Sequence, residues 1–311
     1  MKYTTLYRDQ LEITKSKPMG KKSLKALFGK KPASFQKYAR TMKDICSDYT
    51  QEGKNICKLL NEELQWRKNG SPVIFLETKE LVSYLYEAKF NFEEDFNVTP
   101  PFESFAMVFP ENTEINGVTL KSALVTIMTR KEFINLYGPS IVTLQDLLCA
   151  DYSDDELCIA VHYETASGSV DTNFSHLSKL SKTLKANAVS PLPNSGTNML
   201  QALTQIALSL CVYHSATDGE KLEKGYPSSA ISLPQSKSKA SYKAVTIRSF
   251  KEKQSSVGDS SRIVTHRIPH YRNLRAERFY KKDKYKNMKR GSRWTFVKEV
   301  DVYGSVNTLL S

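Results

Sequence analysis

Asn198 to Tyr213 reads NMLQALTQIALSLCVY. Met199, Leu200, Leu203, Ile206, Ala207, Leu208, Leu210, Cys211 and Val212 leave it almost no polar side, so as a helix it is apolar all round and belongs in a core. Such a helix needs layers to cover it, and the upstream sequence supplies strands. Val73 to Leu76 is a short apolar run. Ser104 to Phe109 is closed by Pro110, and Val118 to Met128 follows the turn residues Glu114-Ile115-Asn116-Gly117. Leu157 to Tyr163 is a further strand.

Nearer the N-terminus the spacing becomes helical. Ser34 is a helix N-cap, and Phe35, Tyr38, Met42, Ile45, Tyr49, Ile56, Leu59, Leu60 and Leu64 recur at helical intervals up to about Arg67. Gly53 is a point of division in this stretch, and Asn69-Gly70-Ser71-Pro72 stops it. Thr78 then caps a short helix carrying Leu81, Val82, Leu85 and Tyr86. Together these features predict an α+β protein with a helical N-terminal part, a mixed central sheet and a C-terminal basic hairpin packed on the same body.

The boundaries that follow are a basic flexible arm over 1–33, an α+β body over 34–214, a mobile linker or long loop over 215–261, and a basic strand region over 262–311. The arm contains KSKPMGKKSLKALFGKK, interrupted by Pro18, Gly20 and Gly29. The linker is rich in Ser and Lys and poor in large apolar residues, with room for one short strand at Val245 to Phe250. Trp294 to Tyr303, WTFVKEVDVY, alternates enough for a half-buried strand.

Composition narrows the class. No apolar run reaches the roughly 18–20 residues of a bilayer span, and MKYTTLYRDQLEITKSK lacks the apolar region of a secretory signal. The five cysteines, Cys46, Cys57, Cys149, Cys158 and Cys211, are odd in number and form no CxxC, which suits reduced thiols in a cytoplasmic protein. A pI near 9.3 favours acidic partners over membrane attachment. The usual nucleotide, hydrolase and zinc-protease motifs are absent, and no cofactor is expected.

The charge is concentrated in Arg262 to Lys298, RIVTHRIPHYRNLRAERFYKKDKYKNMKRGSRWTFVK, with thirteen Lys or Arg against only Glu277 and Asp283. Tyr271, Phe279, Tyr280, Tyr285, Trp294 and Phe296 sit among the charges. Cations neutralise phosphates and aromatic faces stack on unpaired bases. The expected nucleic-acid contacts are Arg267, Arg272, Arg275, Arg278, Lys281, Lys282, Lys284, Lys286, Lys289, Arg290, Arg293 and Trp294. An acidic protein partner and a merely solvated basic surface are the alternatives.

His266 and His270 are the candidate catalytic residues. Their spacing places both on one face of an extended strand, with Arg272 continuing that face, and Pro269 argues against a helix there. Paired imidazoles can move protons in RNA cleavage; two surface histidines in a basic strand is the plainer alternative. No carboxylate or Cys lies near enough in sequence to complete a metal site, so none is expected. His162, in LCIAVHYE, reads as a satisfied core or edge residue. His214, at the end of the apolar helix, would complement the helix dipole if positive. His176 has no context, and Asp154-Asp155-Glu156 reads as a solvated loop.

Between His266 and Gly304 the chain resembles a family of phage-encoded proteins whose C-terminal pattern is like H-x-R-x-G-H-x-R followed by a strand rich in Gly, Arg, Trp and Val. The matching residues are His266, His270, Arg272, Gly291, Arg293, Trp294, Val297, Val302 and Gly304; Pro269 stands where a Gly is usual, and the arginine spacing differs. Pro100-Pro101-Phe102-Glu103-Ser104-Phe105 and the helix around Leu200 to Val212 are weaker echoes. The family includes a type V-A anti-CRISPR protein that blocks production of the CRISPR effector nuclease. The resemblance implies recognition of the effector's nascent N-terminal peptide, on RNA or a ribosome–nascent-chain complex, with loss of the message. A metal-independent ribonuclease using His266 and His270, and a non-enzymatic nucleic-acid-binding phage protein, are the other two expectations.

Overall fold

The computed structural model describes residues 1–31, 33–46, 50–92, 96–138, 152–166, 168–187, 199–228, 230, 242–249, 264–266, 270–297 and 301–303. Among these it is an α+β protein built on a mixed seven-stranded sheet. The helices are α1 (Gln10–Ser16), α2 (Gly20–Phe28), α3 (Phe35–Cys46), α4 (Gln51–Lys68), α5 (Lys79–Tyr86), α6 (Arg130–Tyr137), α7 (Leu177–Asn187) and α8 (Met199–Ala216). The large sheet uses β1 (Pro72–Leu76), β3 (Ser104–Val108), β6 (Ala123–Thr129), β7 (Leu157–Glu164), β8 (Val170–His176), β9 (Leu222–Lys224) and β10 (Lys243–Ile247). Their order is β8-β7-β6-β3-β1-β10-β9, parallel across β3-β1-β10 and antiparallel elsewhere. Between β3 and β6 lies the small hairpin β4 (Glu114–Ile115) and β5 (Val118–Thr119).

Side-chain alternation assigns each face of the sheet to one layer. Ile74, Leu76, Phe105, Met107, Val125, Ile127, Ile159, Val161, Val245 and Ile247 share one core with Leu81, Val82 and Leu85 of α5 and the apolar side chains of α8. On the other face Val73, Phe75, Ala106, Val108 and Leu124 pack with Leu59 and Trp66 of α4 and with Tyr3, Leu6 and Tyr7. The caps are those the sequence indicates: the Ser34 hydroxyl accepts from the Lys37 N–H and the Thr78 hydroxyl from the Leu81 N–H. Thr129 and Glu132 add a reciprocal capping box at α6.

Three expectations need correction. Residues 1–28 do not form a loose arm. Tyr3 bridges to Pro110, Leu6 and Tyr7 are core residues, and α1 and α2 are folded onto α3 and α4. Gly20 marks how tightly: a Cβ there would fall inside the van der Waals shell of the Thr14 carbonyl. The helical stretch does divide in two, α3 ending at Cys46 and α4 starting at Gln51, but Gly53 is not itself the break: it lies in the first turn of α4, where a Cβ would collide with the Cys46 carbonyl oxygen. The stretch 215–261 is not simply a linker, because β10 fills an interior place in the sheet between β1 and β9. This is the short strand expected at Val245 to Phe250, placed two residues earlier, and its Val245, Thr246 and Ile247 are buried. Residues 229, 231–241 and 250–261 of that stretch lie outside the described residues.

Candidate nucleic-acid interface

The basic C-terminal segment contains β11 (Val264–His266), β12 (His270–Leu274), β13 (Arg293–Val297) and β14 (Asp301–Tyr303). β12 pairs antiparallel with β13 and parallel with β2 (Phe90–Asn91), while β11 pairs with β14 in a separate ladder. The expected row of His266, His270 and Arg272 along one strand is therefore split. His266 pairs with Asp301 across one ladder; His270 and Arg272 share a face of another. Arg272 is exposed and His270 half-buried, with Tyr271 between them turned into the core. Arg267, Pro269 and Gly304 lie outside the described residues.

Of the aromatics among the cations, Tyr271, Tyr280, Tyr285 and Trp294 are buried, and Phe279 and Phe296 are half-buried. Trp294 is 2 % exposed and packs on Phe90, Phe92 and Phe96, with ring centroids 5.9, 6.2 and 5.2 Å away. Its indole N–H donates to the Asn97 carbonyl at 2.9 Å, and its backbone N–H donates to the Ser215 hydroxyl at the end of α8. Tyr271 joins the main core, and burial pushes its phenol far above the ordinary range. The expectation that Trp294 stacks on bases is thus corrected: its ring already has protein on its faces.

Tyr280 and Tyr285 organise the connection between β12 and β13. The Tyr280 hydroxyl donates to the Leu274 carbonyl at 2.6 Å and accepts from the Gly291 N–H at 2.8 Å. The Tyr285 hydroxyl donates to Asp218 at 2.8 Å, and burial followed by that hydrogen bond raises its pKa. Arg293 lies 3.5 Å above the Tyr285 ring, reaches Asp218 at 3.7 Å and donates to the Phe279 carbonyl. Arg275 donates to the Asn273 side chain at 3.3 Å. Arg293 and Arg275, both half-buried, are consequently bracing residues. The remaining candidates, Arg272, Arg278, Lys281, Lys282, Lys284, Lys286, Lys289 and Arg290, are exposed. The ion pairs Lys286–Asp283 (3.1 Å) and Arg290–Glu277 (3.3 Å) are exposed as well, so they hold their cations weakly.

Other titratable groups are gathered inside the protein. The Glu62 carboxylate takes a hydrogen bond from Tyr137 (2.8 Å) and lies 2.9 Å from Nε2 of His162, so His162 is a satisfied core histidine through that nitrogen. Beside it Glu63 is fully buried, and burial, reinforced by the Asp9 charge, holds its carboxyl well above the usual range. Sequence spacing misses these two acids because Asn61-Glu62-Glu63 reads as the solvated side of α4. His176, without context in the sequence, lies 3.3 Å from the Cys158 sulfur, but that sulfur is fully buried. Glu156 accepts from the Ser178 N–H at 3.2 Å and Asp154 pairs with Arg130, so the acidic run is partly engaged. His214 is not the positive dipole partner its position suggests: burial, followed by the Lys284 charge, lowers its pKa.

Among the described residues Cys46, Cys57, Cys158 and Cys211 are free thiols; Cys149 lies outside them. Among the same residues no group of three or more His, Cys, Asp or Glu could hold a metal ion, and no helix is long and apolar enough to cross a membrane. Comparison with family models, curated proteins and solved structures gives no match to this chain.

Proposed function

We propose that this protein binds RNA through the phosphates, using the exposed cations of the β12–β13 region. The proposal extends to the process suggested by the resemblance at His266 to Gly304: lowering synthesis of a type V-A CRISPR effector whose nascent N-terminal peptide is the protein partner. The supporting observation is the division of labour in this segment. Tyr271, Tyr280, Tyr285 and Trp294 are buried, so the exposed Lys and Arg side chains project from a braced platform. Contact made chiefly by cations, with those four aromatics withdrawn from stacking, favours backbone over base recognition. The ribonuclease alternative has weaker support, because His266 and His270 belong to different ladders.

The direct test is a labelled single-stranded RNA titrated at several salt concentrations. Engagement of about six phosphates gives a loss on the order of a thousandfold or less between roughly 50 and 200 mM salt. Affinity that ignores salt, or no binding at low salt, rejects the RNA reading; cleavage of the RNA supports the enzyme. In a phage-protection assay against a type V-A CRISPR host, Arg272→Ala and His270→Ala should lose inhibition while retaining a cooperative melt. Full inhibition by both variants rejects a role for this face.

A further inference from the structure

We propose that the α2–α3 surface is a second binding site for a nucleic-acid backbone, on the opposite side of the sheet from the C-terminal platform. From Ile13 to Lys43 the chain carries ten Lys or Arg and no Asp or Glu. The fold turns this run into a surface. Leu24 and Phe28 of α2 pack with Phe35, Tyr38 and Leu60, which uses the helix's apolar side and leaves Lys21, Lys22 and Lys25 exposed. Lys37 lies 5.8 Å from the Phe28 ring, and Arg40 is exposed one turn further along α3, so the cations of the two helices adjoin. Among the described residues no carboxylate pairs with Lys21, Lys22, Lys25 or Arg40.

The platform for these cations is fixed. The Tyr38 and Thr14 hydroxyls are 2.7 Å apart, and burial pushes the Tyr38 phenol up to about 12. α3 packs through Tyr38 and Ala39 on Leu60 of α4, and Leu59 and Trp66 of α4 cover the sheet face opposite α5, α8 and Trp294. A polyanion on α2–α3 therefore cannot be held by the same cations as one on β12–β13. An anionic membrane is the weaker fit. The large exposed apolar side chains here are Met19 at the α2 N-cap, Leu27 of α2 and Ile45 of α3, short of the continuous apolar face an interfacial helix buries. Cations one helical turn apart, spread over two helices, suit a run of phosphates.

This inference shares the chemistry of the C-terminal reading but none of its residues, so either can fail alone. The probe is a fluorescent oligouridylate of about eight nucleotides, within the span of a single groove. At low salt the wild-type chain should bind two per molecule. Lys21→Glu/Lys22→Glu/Lys25→Glu/Arg40→Glu should remove one, and Lys281→Glu/Lys282→Glu/Lys286→Glu/Lys289→Glu should remove the other. A Lys→Gln set at Lys21, Lys22 and Lys25 serves if charge reversal disturbs the fold. A single wild-type site lost only in the N-terminal set upholds this inference and rejects the C-terminal reading. Unchanged stoichiometry and affinity in a folded N-terminal variant overturns it. So does loss of binding to phosphatidylserine vesicles in that variant with oligonucleotide binding intact.

Discussion

Trp294 donates its indole N–H to the backbone carbonyl of Asn97 at 2.9 Å, joining residues 197 positions apart. That bond, with the ring seated on Phe90, Phe92 and Phe96, fixes the basic segment to the body. Trp294→Ala should cost about 3–5 kcal/mol, as truncation of a buried aromatic generally does. Trp294→Phe should cost about 1–3 kcal/mol, because it leaves the Asn97 carbonyl short of a donor. Denaturant unfolding measures both. If RNA binding falls in Trp294→Phe while stability is unchanged, the ring contacts the ligand.

Arg293 and Lys282 should separate bracing from binding. Arg293 touches Tyr285, Asp218 and the Phe279 carbonyl, whereas Lys282 is exposed. Arg293→Ala should lower the melting temperature and expose the connection to protease. Lys282→Glu should leave the melt within about 0.5 kcal/mol of wild type and weaken RNA binding. The reverse pattern would exchange the two roles.

Glu63 gives a stability dependence with a definite sign. Its folded pKa is raised above the ordinary 4.5, so its contribution is fully present below pH 4.5 and is lost as pH rises through the folded value. Each pH unit in that window removes about 1.4 kcal/mol. Glu63→Gln should therefore be more stable than wild type at pH 8 and nearly equal to it at pH 4.5. A less stable variant at pH 8 would mean that Glu63 is an ionised partner of Arg67, 3.6 Å away.

His214 acts in the opposite sense. Burial and Lys284 lower its folded pKa below 6.5, so its contribution is complete above pH 6.5 and is lost as pH falls toward the folded value. His214→Gln should melt with a shallower acid dependence between pH 7 and pH 5. An unchanged slope rejects the assignment. Because Lys284 belongs to the basic segment, proteolysis near residues 281–290 should track the same pH change.

Much of the α+β architecture follows from the sequence alone. The all-round apolar run at Met199–Ala216, the short buried runs at Pro72–Leu76 and Ser104–Val108, and the caps Ser34 and Thr78 act over a few residues, so their spacing carries the information. The concentration of cations in 262–298 is likewise plain from composition. Tertiary structure decided which way each side chain faces. Tyr271, Tyr285 and Trp294 look available for stacking in a basic sequence, yet β2, Asp218 and Asn97, each remote in the chain, claim them. Glu63 looks solvated on α4 until α1 covers it. Burial depends on partners brought together across long loops, and periodicity along one segment records that a face is covered without recording by what.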